Sequence, residues 1–399
     1  MRVTHVITRL IIGGAQENTV YSVLGLKQKP DLRVDLISGL SQGREGSLEP
    51  LFEPHPGTLR VIPELVRPIR FLTDWRALVR LRDIFLEERP DIVHTHSGKA
   101  GIVGRLAAAQ ARVPVVIHTI HGPSFGTFQG LIPNTIFRYA EQRAAKATSH
   151  FVTVADAMKD QYLAAGIGRP EQYTRVFSGF RLEPFLSATN DLRLRERLGL
   201  TSEDIVVGKI GRLVPLKGHD DLFAVASQLV RESPRLKFLL VGDGPWRERF
   251  EGQAESLGLK RHFVFTGLVP PASVAPLVGI MDLVIHLSSR EGLARALPQA
   301  LAASRPIIAY DCDGAREVCL DGQTGFLIKP GDLGELRRKI LQLAADPAVR
   351  ERFGNAGKQF VQERFSTDRM VDDLYLLYHR LSGTGESLGV KGCENRISN

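Results

Sequence analysis

The run IVVGKIGRLVPLKGHD, residues 205–220, carries the reading that decides the fold. Its β-branched start, 205–210, predicts a buried strand. Gly211-Arg212 follows at once, and Lys217-Gly218 precedes an amphipathic helix expected over 220–232. Strand, glycine-bearing loop, helix is the repeating unit of a parallel sheet covered on both faces. The rhythm continues downstream, with strands expected at 237–241, 263–265, 283–286, 306–309 and 325–328. Helices are expected between them at 246–257, 271–278, 296–303 and 333–345. Upstream the same alternation gives strands at 3–8, 34–37, 92–95, 115–118 and 151–154, and helices at 15–26, 74–88, 101–110 and 136–145.

A chain of 399 residues is too long for one ordinary core. The alternation predicts an α/β protein of two Rossmann-like, doubly wound domains, 1–180 and 200–365. Gly179, Pro184 and the polar run 187–191 read as the linker between them. One further amphipathic helix, 367–381, is assigned to the first domain as a crossover, and 382–399 is expected to be a flexible tail.

Three cysteines outside any ligand spacing exclude a disulfide framework and favour a reducing, cytoplasmic setting. No run approaches the roughly 18 apolar residues of a membrane span. The net charge of +8 sits mainly in the first half. It admits contact with an anionic lipid surface or acceptor, beside the plainer reading of a solvated basic surface. Arg67, Arg70, Arg76, Arg80 and Arg82 around Phe71, Leu72 and Trp75 raise the same pair of readings, with a packed helix preferred. No motif points to nucleic acid.

Open parallel sheets bind ligands beyond the carboxyl ends of their strands, so the residues there are the candidates. Gly13-Gly14 lets backbone N–H groups approach a phosphate or sugar, or forms a plain turn. His94, His96, His118 and His121 follow two neighbouring strands. Without an accompanying carboxylate or cysteine their spacing is read as hydrogen-bonding, with no metal. Arg212 and Lys217 suit two phosphates better than a bare surface. Glu291, ahead of a helix, accepts from sugar hydroxyls or caps the helix, and the N–H groups of Leu293 and Ala294 can meet phosphate oxygens. Asp311-Cys312-Asp313 is read as a turn.

The segments GRLVPLKG (211–218), FLLVGDGP (238–245), FTGLVP (265–270), SSREGLARALPQALA (288–302) and DGQTGFLIKPGD (321–332) together resemble the retaining family 4 glycosyltransferases of GT-B architecture. GGAQ (13–16), PDIVHTHSGKAG (90–101) and TIHG (119–122) fit the same family. The resemblance implies an interdomain cleft and a nucleotide-diphosphate sugar as co-substrate, UDP-sugar favoured, with no other cofactor. It also implies a glycan or lipid-linked acceptor.

The resemblance further implies that Arg212 and Lys217 hold the diphosphate, Glu291 the sugar, and Gly211, Val269, Gly292, Leu293 and Ala294 the rest of the donor. Gln299 stands where the family usually has the glutamate that holds the ribose. His121 is the expected histidine of the reaction centre, and Gly13, Gly14, His96 and His118 the expected acceptor side. Two rivals stay open: a GT-B nucleotide-sugar epimerase or hydrolase and, prompted by the glutamine, a non-catalytic nucleotide-sugar-binding protein.

Overall fold

Short β-branched strands that are buried along their length need helices on both faces, and that need sets the architecture. In the computed structural model, which describes residues 1–41, 46–126 and 129–383, the chain divides into two units. One comprises residues 1–180 with the helix at 367–381, the other residues 181–366. The expected tail lies outside the described residues from 384 onward.

The first unit is a seven-stranded sheet in the order β3-β2-β1-β4-β5-β6-β7, every pair parallel. Its strands are β1 (Arg2–Ile7), β2 (Arg33–Ser38), β3 (Leu59–Val61), β4 (Ile92–His96), β5 (Val115–Ile120), β6 (His150–Thr153) and β7 (Tyr173–Arg175). Its helices are α1 (Gly14–Leu26), α2 (Phe71–Glu88), α3 (Gly98–Gln110), α4 (Leu131–Ala145) and α5 (Asp156–Ala164).

The second unit opens with the short helices α6 (Glu183–Leu186) and α7 (Leu192–Arg197). Its sheet order is β10-β9-β8-β11-β12-β13, again all parallel. The strands are β8 (Ile205–Ile210), β9 (Leu236–Val241), β10 (Phe263–Gly267), β11 (Leu283–His286), β12 (Ile307–Tyr310) and β13 (Gly325–Ile328). The helices that follow are α8 (His219–Glu232), α9 (Arg247–Ser256), α10 (Pro271–Gly279), α11 (Ala296–Ala302), α12 (Leu333–Ala345) and α13 (Pro347–Arg364). The last helix, α14 (Thr367–Leu381), packs back on the first unit.

One face of the first sheet is covered by α1 and α14: Val3 and Ile7 meet Val20, Leu26, Leu374 and Leu377, all buried. The helices approach so closely that a Cβ on Gly25 would lie 2.3 Å from Val371 Cγ2, which explains the glycine. The opposite face, with Val6 and Val93, is covered by Leu81 of α2 and Ala107 of α3.

The stretch 181–200, expected to be a linker, belongs to the second unit. The reason is Arg195, 2% exposed, whose guanidinium donates to the carbonyls of Thr201, Asp204 and Ile280 and to Asp282 Oδ2 (2.9–3.1 Å). A loose linker would leave that buried charge unanswered.

A second buried cation fixes the first unit. Arg105 of α3 and Glu141 of α4 pair at 2.6 Å with both side chains fully buried. Glu141 Oε1 also accepts from Ser124 Oγ (2.9 Å), and so ties down the loop after β5. Removing one partner of such a pair strands the other charge in a dry interior. Glu141→Ala is therefore expected to destabilise the first unit by about 3–5 kcal/mol, read as an earlier unfolding transition in urea.

Candidate active site

In each sheet the strand order reverses once, between β8 and β11 in the second unit and between β1 and β4 in the first. Neighbouring loops diverge at such a point and leave a crevice at the carboxyl edge.

In the second unit the two loops at the reversal are laced through one carbonyl. Leu216 O accepts from the Ser289 N–H (2.9 Å) and lies 3.1 Å from the Ser288 hydroxyl. Leu216 itself has φ 68°, a conformation that costs a non-glycine residue energy and persists only where its surroundings hold it. Gly218, at φ 65°, cannot be replaced freely, because a Cβ there would lie 2.0 Å from Leu287 O.

The lacing brings Lys217 Nζ onto Glu291 Oε1, residues 74 positions apart. Both side chains keep about a quarter of their exposure, 22% and 27%, so the pair can be reached from solvent. Burial pushes the Lys217 amine down to about 8, and the nearby Arg212 and Arg290 add to the effect. Beneath lies Lys209, 3% exposed and pushed down to about 7 by burial and then by Lys217. Arg212, Lys217 and Arg290 thus cluster beside Glu291, with Asp221 acting on Lys209, and this concentration of positive charge favours an anion. Arg290 was missed in the sequence, although it stands beside Glu291 in the same SSREG run.

Two further contacts support Glu291. Its backbone N–H donates to Asp313 Oδ2 (2.7 Å), so the Asp311–Asp313 turn braces this loop. His286, buried at the end of β11, holds Nε2 3.8 Å from Glu291 Oε1, and among the described residues that nitrogen makes no hydrogen bond. Gly292, Leu293 and Ala294 are buried just ahead of α11. At Gly211 a Cβ would meet nothing within 4 Å, so the fold itself does not demand glycine there. Gln299 on α11 and Val269 after β10 are half-buried, and among the described residues no hydrogen bond joins either to Lys217 or Glu291.

In the first unit Gly13 and Gly14 open α1 as expected from their position, with Glu17 N–H bonded to Gly13 O (2.9 Å). The histidines require a correction. His96 is 1% exposed with both ring nitrogens engaged, Nε2 to His5 Nδ1 (2.9 Å) and Nδ1 to His121 Nε2 (3.1 Å). His118 is 2% exposed, bonded to Thr95 Oγ1 (2.9 Å) and packed where a Cβ on Gly101 would meet it at 2.4 Å. Neither ring is presented to an acceptor. Strand periodicity accounts for this: in β4 and β5 every residue is covered by a helix on one face or the other. His121, one position beyond the end of β5, is half-buried and is the histidine nearest the carboxyl edge.

His5 was missed as a member of this group, although it occupies the register position of His94 across β1 and β4. Ring nitrogens of His5, His94 and His96 lie within 4.8 Å of one another, the density of a metal site. Each of these rings is, however, paired by hydrogen bonds to its neighbours. Burial pushes His5 down to about 3 and His94 and His96 well below the usual histidine range, so all three are neutral at pH 7.

Residues 190–360 match the family described as glycosyl transferases group 1, and residues 18–178 match the glycosyl transferase 4-like domain. The chain is 31% identical over 295 residues to the putative glycosyltransferase EpsD of Bacillus subtilis, covering 72% of this chain and 76% of that one. It is 28% identical over 322 residues to the UDP-Gal:alpha-D-GlcNAc-diphosphoundecaprenol alpha-1,3-galactosyltransferase of Escherichia coli, covering 79% and 82%. Among solved structures, Anabaena HepE in complex with UDP shares the fold, with a TM-score of 0.80 at 23% identity over 95% of this chain and 100% of that one.

The two glycines of the 211–218 loop should respond differently to one added methyl group. Gly218→Ala forces Leu287 or the loop to move, and is expected to lower the melting temperature by roughly 2–4 °C for each kcal/mol lost. Gly211→Ala, facing open space, should leave it unchanged in the ligand-free protein. Thermal melts of the two variants decide.

Proposed function

The chain belongs to the family 4 glycosyltransferases, and on that premise we propose that it transfers a sugar from a UDP-sugar to a hydroxyl of a glycan or lipid-linked acceptor. The reaction retains the anomeric configuration and needs no metal ion. The observation that carries this reading is the meeting of Lys217 and Glu291 at the sheet's reversal point, with Arg212 and Arg290 beside them. The chain is a glycosyltransferase of polysaccharide and glycan synthesis, like the relatives named above.

In the ligand-free protein Lys217 and Glu291 satisfy each other. A nucleotide-diphosphate sugar offers both a better partner: the diphosphate oxygens for the ammonium, and the sugar hydroxyls for the carboxylate. Arg212, with the amides of Leu293 and Ala294, completes the anion site. Gly211 leaves room for close approach, Gly292 keeps the backbone near, and Gln299 and Val269 serve the nucleoside. His286 then stands within a small movement of Glu291, as a donor that replaces Lys217.

As the bond to the anomeric carbon breaks, charge grows on the diphosphate, and the cations stabilise it in place of a metal. A phosphate oxygen takes the proton of the acceptor hydroxyl. His121 supports the reacting face of the sugar, and Gly13 and Gly14 line the acceptor side. The UDP preference is supported by the E. coli relative's UDP-Gal donor and by the UDP bound in HepE.

A lipid-linked acceptor calls for a membrane surface. No helix among the described residues is long and apolar enough to cross one. The first turn of α2, however, exposes Phe71 (89%), Leu72 (75%) and Trp75 (62%) beside exposed Arg67, Arg70 and Arg76. The outer face of α4 exposes Leu131, Ile132, Ile136 and Tyr139. Apolar side chains with basic neighbours fit peripheral contact with an anionic leaflet, at the cytoplasmic face of the plasma membrane. Triple replacement of Phe71, Leu72 and Trp75 by serine should abolish flotation with anionic vesicles while transfer to a water-soluble acceptor continues.

Lys217→Ala is expected to lower transfer by roughly 10²–10³ with the fold intact, and near-normal turnover of the purified variant would refute the diphosphate assignment. Glu291→Ala should lose far more sugar transfer than UDP affinity. Because the Lys217 amine is charged only below about 8 in the free protein, UDP affinity should fall as the pH rises through that value. Calorimetry at pH 7 and 9 reads this fall, and Lys217→Met should flatten it.

A further inference from the structure

We propose that His121 is held as a hydrogen-bond donor, its proton on Nδ1, by a one-way chain of buried groups running Thr119–His94–Tyr378–His5–His96–His121. The chain is continuous. Thr119 Oγ1 meets His94 Nε2 at 2.6 Å, His94 Nδ1 meets the Tyr378 hydroxyl at 2.5 Å, and that hydroxyl meets His5 Nε2 at 3.2 Å. His5 Nδ1 meets His96 Nε2 at 2.9 Å, and His96 Nδ1 meets His121 Nε2 at 3.1 Å. The rings also stack, His5 on His96 with centroids 5.1 Å apart and His96 on His121 at 5.4 Å.

A neutral imidazole has one N–H and one bare nitrogen, and a hydroxyl has one proton. In a chain of neutral groups each link uses one proton, so all links point the same way. Burial keeps the interior rings neutral, so no ring carries a second proton to break the pattern.

Only the direction remains, and the far end sets it. If every proton pointed away from His121, His94 Nε2–H would donate to Thr119, whose own hydroxyl proton would then need another acceptor. Thr119 is 4% exposed, and its side chain's one hydrogen bond among the described residues is the one to His94. A buried donor without an acceptor costs more than an acceptor left unused. Thr119 therefore donates, each link follows, and His96 Nδ1–H points at His121 Nε2. With Nε2 accepting from His96, the proton of the His121 ring sits on Nδ1.

The same pairing disfavours a metal among His5, His94 and His96, because an ion would have to displace several of these hydrogen bonds from a dry interior. The consequence for catalysis rests on the reading above, that His121 serves the reacting sugar. A donor there hydrogen-bonds an oxygen and cannot act as a base, and His96, with the chain behind it, is a positioning residue.

The test uses the full chain labelled with ¹⁵N-histidine. Long-range proton–nitrogen correlation spectra at pH 7 report which ring nitrogen carries hydrogen, and His121→Asn identifies the His121 signals. The expected pattern is a protonated Nδ1 and a bare Nε2 at His121. A proton on Nε2, rapid averaging between the two, or one equivalent of zinc or another transition metal in the purified protein would overturn the proposal. His96→Leu should mix the two tautomers and lower kcat roughly tenfold or more, with the KM for UDP-sugar unchanged. His96→Gln, whose amide can still donate to Nε2, should recover most of both losses. Should the spectra agree while His121→Asn transfers sugar at the normal rate, the tautomer stands and the catalytic placement of His121 fails.

Discussion

The Leu216 carbonyl is the point on which the second unit's chemistry turns. It accepts from the backbone of Ser289 and lies against the Ser288 hydroxyl, and so joins the loop after β8 to the loop after β11. Adjacent loops at a reversal of strand order have no ladder to register them. Here a left-handed residue, a glycine with no room for a methyl group and one shared acceptor do that work. The ammonium and carboxylate 74 positions apart meet as a result.

Each unit gathers buried polar groups near the carboxyl edge of its sheet. In the first, Arg105 is answered by Glu141, and His5, His94 and His96 by one another or by a hydroxyl. In the second, Lys217 and His286 lie beside Glu291, Lys209 lies near Lys217 and Asp221, and among the described residues His286 Nε2 and His219 Nδ1 have no hydrogen bond.

The sequence made legible what depends on local pattern. Long β-branched runs and amphipathic stretches gave the parallel architecture. Cations and an acid just after strands marked residues that do meet, Lys217 and Glu291. Strands β3 and β7, three residues each, were not seen because so short a run has no periodicity to read. Residues 181–200 look like a linker because their composition is polar, and only the distant Ile280 and Asp282 reveal why Arg195 is buried. His96 and His118 looked like ligand-facing groups because strand ends usually are. Their burial depends on helices that the sequence does not place above them. Tyr378 could not be linked to His5, since 373 positions separate them.

The return of α14 to the first sheet makes the second unit an insertion in the chain of the first. At the ribosome, β1 to β7 emerge well before the helix that supplies Met370, Leu374, Leu377 and Tyr378 to their apolar face. Until residues 181–366 have been made, that face and the imidazoles behind it stay open to water and to other nascent chains. A stop codon just ahead of residue 367 would leave this vulnerability permanent, even though Lys217 and Glu291 had already been synthesised.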